Sequence, residues 1–172
     1  MTILAGHTHS DQYHVLGNNN LSGSAAQNKP FATWFSAGSV VQYNGRNPAF
    51  RVYRYNRNTF DLENFIQYRF DTKRSNEEGK PYWFRAYDAK GEYGLKDVSA
   101  ASMEQLSFAL ASNDTLWKRY QVNKNNGVPQ TQAADRNATV CNSLAATSWQ
   151  YHQCRVSLFP SDWSLLDLEA FN

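Results

Sequence analysis

Short runs of hydrophobic residues, typical of β-strands, recur through the first 70 positions of the chain. Six segments have this pattern: 2–5, 10–15, 31–35, 40–43, 50–55 and 60–70. In the fifth segment, alternation places Phe50 and Val52 on one face and Arg51 on the other, as in a strand with two different faces. Turn residues at 56–59 separate it from the last segment, so these two are predicted to form an antiparallel hairpin.

From residue 81 the hydrophobic residues recur at helical spacing instead. Pro81 is a favourable first residue of a helix. Trp83, Phe84 and Tyr87 follow it as a stripe that we expect to pack in the core. We therefore predict a helix that begins at Pro81 and ends near residue 93.

The last third of the chain is predicted to be helical. Ser99 is a predicted N-cap, followed by a buried stripe of Met103, Leu106 and Leu110. Further helices are predicted near 114–120 and 133–146, and the hydrophobic tail after Pro160 is predicted to need a partner surface. Strands that precede helices, rather than alternate with them, indicate the α+β class.

Composition narrows the function classes. The chain has 172 residues and a formal net charge of +2, with its charges spread along the sequence. This balance gives no electrostatic case for binding nucleic acid or an anionic membrane. No apolar run is long enough to span a bilayer, and the first residues do not resemble a signal peptide.

Two cysteines and three glycosylation sequons favour a secretory origin. Cys141 and Cys154 are compatible with one disulfide, and their spacing fits no zinc motif. The sequons begin at Asn20, Asn113 and Asn137, which predicts a glycoprotein. The missing signal peptide argues against this origin unless Met1 is not the natural start.

A Gly-His-Thr-His sequence at 6–9 follows the first predicted strand. Imidazole is the commonest metal ligand near neutral pH, so His7 and His9 are candidate ligands at a strand end. The alternative is that both histidines are merely solvated. Two ligands are fewer than the three protein ligands of a catalytic zinc, and His14 and His152 are the only other histidines.

The first predicted strand begins at residue 2, with no earlier element to pair with. Because an unpaired strand exposes a sheet edge, we expect this sequence to be the back part of a larger protein. The alternative is that the strand pairs with the segment at 31–35.

Further motifs follow the histidine pair in a fixed order. They are the segment 43–53 (YNGRNPAFRVY), Pro-Tyr-Trp at 81–83, Tyr-Asp-Ala at 87–89, Tyr-Gly-Leu at 93–95 and the two cysteines. Together with the histidine pair they resemble the C-terminal part of acid sphingomyelinase and the acid sphingomyelinase-like phosphodiesterases. This family lies within the calcineurin-like metallophosphoesterases.

The resemblance implies an architecture. Residues 1–72 would be the C-terminal strands of the metallophosphoesterase β-sandwich, and residues 73–172 a helical C-terminal subdomain. Cys141 and Cys154 would form the disulfide of that subdomain. Contacts to a missing N-terminal part are expected, and the parent protein would be secreted or lysosomal.

The resemblance also implies a two-zinc site, in which the metals polarise a phosphoryl group and a bound water attacks in line. His7 and His9 would each bind one zinc. Tyr43 would line the pocket for a phosphodiester or phospholipid substrate, unless its role is structural. The family's remaining ligands and its acid histidine are absent here, so no catalytic residue is assigned and we expect the chain alone to be inactive. The competing hypothesis is a non-catalytic binding module of secreted glycoprotein type.

Overall fold

A computed structural model of the chain describes residues 1–17, 29–129 and 134–162. Within these ranges the chain forms two three-stranded sheets and six α-helices. The α+β class predicted from the order of strands and helices is therefore confirmed. Asn20 and most of the hydrophobic tail after Pro160 lie outside the described residues.

The first sheet contains the N-terminal strands β1 (Thr2–Ala5), β2 (Gln12–Gly17) and β3 (Pro30–Ser36), in the order β1-β3-β2. Strand β1 runs parallel to β3, with Thr2 opposite Thr33, and β2 runs antiparallel to β3. The first strand therefore pairs with the segment near 31–35, as the alternative stated, and it lies at an edge of its sheet. The strand predicted at 40–43 is also wrong, because those residues form a loop that ends in a turn.

The second sheet contains β4 (Ala49–Tyr55), β5 (Leu62–Phe70) and β6 (Trp83–Asp88), all antiparallel, in the order β4-β5-β6. The predicted hairpin of β4 and β5 is confirmed. Helix α1 (Thr72–Glu78) connects β5 to β6. Strand β6 belongs to the part of the chain from 73 to 172, whereas its partner β5 belongs to the part from 1 to 72.

The predicted helix from Pro81 is wrong, because residues 83–88 form β6. A bulge explains the error. Phe84 lies opposite Arg69 and Tyr87 lies opposite Gln67, so three steps along β6 match two steps along β5. The extra residue puts two aromatic side chains on one face at a spacing of three, which imitates the period of a helix.

Five further helices follow: α2 (Ala89–Tyr93), α3 (Ala100–Ser112), α4 (Asp114–Lys124), α5 (Arg136–Leu144) and α6 (Ser148–Leu158). The predicted cap of α3 is confirmed, since the Ser99 hydroxyl accepts from the backbone N–H of Ser102 at 3.4 Å. The predicted stripe of α3 is buried in the core. None of the helices in the described ranges is long and apolar enough to cross a membrane.

The core lies between the two sheets and helices α3 and α5. Phe35 of β3 and Phe65 of β5 join the sheets, with ring centroids 5.5 Å apart. Helices α3 and α5 pack on β2 and β3, and the Tyr13 hydroxyl bonds Ser107 of α3 at 2.8 Å. Cys141 of α5 and Cys154 of α6 form the disulfide that the resemblance implies.

Candidate functional site

The histidine pair lies in a loop that follows β1 and has an unusual backbone. His7 and His9 have φ angles of 82° and 56°, in the left-handed region that non-glycine residues rarely adopt. Glycine adopts such angles readily, but Gly6 is not the residue that does so here. A Cβ at Gly6 would meet nothing within 4 Å, and Gly6 does not have positive φ. The strained residues are the candidate ligands themselves, and such strain concentrates at functional sites.

His9 is the better placed of the two imidazoles. It is half-buried, whereas His7 is exposed. Its ring packs against Tyr43, with centroids 4.5 Å apart and planes inclined by 52°. In the described part of the chain, Nδ1 of His9 is buried and has no hydrogen-bond partner. A buried nitrogen without a partner is costly, so this atom is available to a ligand that binds there.

Tyr43 begins a tight turn whose geometry follows from its sequence. Asn44 and Gly45 have φ angles of 48° and 74°, and Arg46 N donates to Tyr43 O at 3.0 Å. Positive φ at both central residues is typical of a type I′ turn, for which Asn-Gly is a preferred pair. The turn leaves the Tyr43 side chain 49% exposed beside His9. We refer to residues 43–48 as the tyrosine loop.

A cationic side chain lies at this corner. The Arg46 guanidinium donates to the carbonyl oxygen of Thr8, between the two histidines, at 3.4 Å. Burial, followed by the charge of Arg46, lowers the pKa of Lys124. The corner therefore combines two imidazoles, a phenol and the positive charge of Arg46.

A buried polar network fixes the chain immediately after His9. The Asp11 carboxylate accepts from the Arg51 guanidinium and from the Tyr87 hydroxyl. Arg51 also donates to the side-chain oxygen of Gln67 at 2.8 Å, and its guanidinium lies 3.7 Å from the centre of the Phe65 ring. The side chains of Arg51 and Asp11 are only 1% and 8% exposed. This network joins the start of β2 to all three strands of the second sheet.

Burial, followed by the negative charge of Asp11, raises the pKa of Tyr87 well above its ordinary value. The phenol therefore keeps its proton and donates a hydrogen bond to Asp11. Sequence reasoning did not identify this network. Its members are spread between positions 11 and 87, and the signal available beforehand was a charged residue on each of two predicted strands.

A second polar cluster connects the sheet to the helices. Arg69 of β5 donates to the side-chain oxygen of Asn123 in α4 at 2.6 Å. Asn123 in turn donates to Glu92 at 2.9 Å and to the Tyr93 hydroxyl at 3.0 Å. The helical region is thus hydrogen-bonded to the same sheet that anchors Asp11.

The fit of the corner to a metal is partial. Imidazole nitrogens suit zinc, and the free Nδ1 of His9 is consistent with such a ligand. No group of three or more His, Cys, Asp or Glu side chains able to hold a metal ion occurs among residues 1–17, 29–129 and 134–162. His14 lies elsewhere, with its ring 4.9 Å from that of Trp34. These residues could therefore supply only part of a zinc site.

The two described sequon asparagines occupy helix starts. Asn113 is exposed, and its side-chain oxygen caps α4 by accepting from Leu116 N at 3.0 Å. Asn137 is half-buried in the first turn of α5. The capping oxygen of Asn113 is distinct from the amide nitrogen that would carry a glycan, so capping and glycosylation are compatible at that position.

Comparison with known proteins identifies the family. The model of the acid sphingomyelin phosphodiesterase C-terminal region matches residues 29–156, which is well over half of the chain. The protein belongs to this family. The predicted resemblance to the C-terminal part of acid sphingomyelinase-like phosphodiesterases is therefore confirmed.

Individual relatives agree with the family match. The chain is 26% identical to sphingomyelin phosphodiesterase A of Dictyostelium discoideum over 88% of its own length and 25% of the relative's. It is 28% identical to the Bos taurus sphingomyelin phosphodiesterase over 96% of its length and 27% of the relative's. It is 31% identical to the human acid sphingomyelinase-like phosphodiesterase 3b over 68% of its length and 26% of the relative's. The chain thus spans about a quarter of the length of these relatives.

Proposed function

We propose that this chain supplies one side of the metal site and of the substrate pocket of a zinc-dependent phosphodiesterase. The contact between His9 and Tyr43, 4.5 Å between ring centroids, carries the proposal. It places an imidazole with a free buried nitrogen beside a half-exposed phenol ring. Family membership supports the assignment of these two groups to a metal and a substrate.

In this proposal His7 and His9 are zinc ligands. Bound zinc would polarise the phosphoryl group and activate a water for attack. Two imidazoles are fewer than the roughly three protein ligands of a catalytic zinc. We therefore assign the remaining ligands, and the acid that protonates the leaving group, to polypeptide of the complete enzyme other than these 172 residues. The 172-residue chain alone is then inactive.

The substrate class follows from the charges and from the names of the relatives. Arg46 lies at the corner and would attract the phosphodiester anion. Tyr43 would contact the part of the substrate next to the phosphorus. Several relatives are named sphingomyelin phosphodiesterases, so the proposed substrate is a phospholipid of this type or a related phosphodiester.

The surroundings of the chain can be proposed on the same basis. A disulfide persists in oxidising compartments, which supports a secreted or lysosomal protein with Asn113 as an accessible glycosylation site. The exposed side chains of Leu4 and Phe31 lie on β1 and β3. We propose that they contact the N-terminal part of the complete enzyme.

The test is a zinc titration of the purified chain, followed by NMR of its histidine side chains. We expect zinc to shift the His7 and His9 signals at lower concentration than those of His14 and His152. A His7→Ala/His9→Ala variant should lose the strongest zinc response, whereas His152→Ala should retain it. An equal response of all four histidines would contradict the assignment of ligands.

A second assay addresses the missing ligands. Hydrolysis of bis(p-nitrophenyl) phosphate by the chain with added zinc should not exceed that of the double histidine variant. Turnover by the chain that disappears in the double variant would contradict the proposal that further ligands lie elsewhere. It would show instead that a complete site assembles from these residues.

A further inference from the structure

The turn that ends helix α4 contacts the loop that contains His7 and His9. Gly127 N donates to Val122 O at 2.8 Å, which closes the helix, and Asn126 and Gly127 both have positive φ, 53° and 83°. This reversal of the chain buries Asn126, whose side chain and backbone are only 1% exposed. Asn126 therefore belongs to the helical region and is buried in the interior of the protein.

Asn126 contacts both halves of the proposed site. Its amide Nδ2 donates to the carbonyl oxygen of His9 at 3.4 Å. The backbone carbonyl oxygen of Asn126 accepts from Nδ2 of Asn47, in the tyrosine loop, at 3.1 Å. One residue therefore ties the backbone of the candidate ligand to the loop that carries Tyr43.

A third segment packs directly on the Asn126 side chain. A Cβ at Gly38 would lie 2.7 Å from Cγ of Asn126, closer than such atoms approach in proteins. Gly38 lies between β3 and the tyrosine loop. Glycine is needed here because the amide of Asn126 fills the space that a side chain would occupy.

Asparagine is not the residue best suited to this position by its backbone and hydrogen bonding alone. Its φ of 53° would suit glycine better. In the part of the chain that the structure describes, its Oδ1 is buried without a hydrogen-bond partner, which is unfavourable. Local strain and an unsatisfied polar atom in one residue point to a positional role.

We propose that Asn126 is a positioning residue that holds His9 against Tyr43, so that the helical region sets the geometry of the metal corner. The consequence for catalysis rests on the proposed function, but the positioning itself does not. Asn126 acts through the backbone of His9 and through Asn47, and has no assigned contact with metal or substrate.

The test measures the contact between the two rings without metal or substrate. Tyr43 shifts the His9 ring protons in the NMR spectrum through its ring current, and a Tyr43→Leu variant provides the value without this effect. Asn126→Leu keeps nearly the same size of side chain but has no group that can donate to His9 O. Asn126→Gly keeps the backbone conformation and removes the amide. In both variants we expect the ring-current shift of His9 to fall by more than half.

Asn58→Gly is the matched control. Asn58 is exposed in the turn between β4 and β5, so this variant makes the same chemical change away from His9 and from the tyrosine loop. It should keep the wild-type shift. Equal loss of the shift in Asn58→Gly, or its retention in both Asn126 variants, would overturn the proposal.

Gly38→Ala approaches the same contact from the other side and does not alter Asn126 itself. Its methyl group must displace the Asn126 amide, so we expect the His9 shift to fall as in Asn126→Gly. The wild-type shift in folded Gly38→Ala would overturn the proposal. The result is independent of zinc: the proposed function can fail in the zinc titration while the ring shift still responds to Asn126.

Discussion

The ion pair of Asp11 and Arg51 allows the sharpest test of how the corner is anchored. Asp11→Asn removes the negative charge with little change of shape. It leaves the Arg51 guanidinium buried without its countercharge, with neutral contacts to Gln67 and the Tyr87 hydroxyl and the Phe65 ring on one face. Loss of one partner of a buried ion pair typically costs about 3–5 kcal/mol of stability, because the other charge stays uncompensated. For a chain of this size that corresponds to a fall in melting temperature of about 6–20 °C.

The assay is urea unfolding followed by circular dichroism, supported by calorimetry. Glu77→Gln is the matched control, because the pair of Lys73 and Glu77 is exposed and 3.9 Å long. Such surface pairs contribute about 0–1 kcal/mol. The double variant Asp11→Asn/Arg51→Met should be destabilised by less than the sum of the two single variants, since it leaves no buried charge unpaired. A loss in Asp11→Asn no larger than in the control, or strict additivity, would refute this reasoning.

Three further predictions concern stability. Replacing Cys141 and Cys154 by Ala removes a disulfide with a sequence separation of 13 and should lower the free energy of unfolding by about 3 kcal/mol. Reducing agent should destabilise the wild type but not this variant. Burial lowers the pKa of His14 from 6.5, so the unfolded chain takes up its proton first and stability should fall as the pH drops below that value. Urea unfolding at several pH values should show this dependence, and a shallower one in His14→Gln; equal slopes would contradict it. Gly127 has positive φ, and a Cβ there would lie 3.1 Å from the Arg69 guanidinium. In urea unfolding, Gly127→Ala should therefore lose more stability than the about 1–2 kcal/mol of left-handed strain alone. Gly45→Ala shares that strain but meets nothing within 4 Å, so an equal loss in both would contradict the steric argument.

Local signals in the sequence predicted the elements that depend on neighbouring residues. The hairpin of β4 and β5 has a turn of its own, and the cap at Ser99 satisfies the first N–H groups of α3 whatever surrounds it. Strand β6 was missed because its identity depends on pairing with β5. The spacing of Phe84 and Tyr87 fits a helix until the bulge opposite Gln67 and Tyr68 is known.

The same distinction applies to the site. His7, His9 and Tyr43 could be selected from motifs that are short and continuous in sequence. The contact between His9 and Tyr43 could not be predicted in this way, because it depends on the pairing of β2 with β3 in the first sheet. Asp11 lies two residues from a predicted ligand, yet its partners follow 40 and 76 positions later.

The motifs that carry the family resemblance divide into two physical roles. Tyr43 faces solvent beside His9, whereas Arg51 and Tyr87 bury their polar groups on Asp11 and Tyr93 bonds Asn123. Three of these four motif residues, Arg51, Tyr87 and Tyr93, therefore stabilise the framework. A buried polar group that loses its hydrogen-bond partner is costly. The framework therefore resists a change of conformation at any one of these residues.

This rigidity has a consequence for the corner. His9 is held from three directions: by the network at Asp11, by the tyrosine loop and by Asn126 of the helical region. Positive φ at His7 and His9 is unfavourable in isolation, so the loop keeps its conformation only while these contacts persist. A change in the turn after α4 should therefore alter the imidazole of His9 before it unfolds the protein. In this proposal the helical region sets the geometry of the corner through Asn126, although it has no assigned contact with metal or substrate.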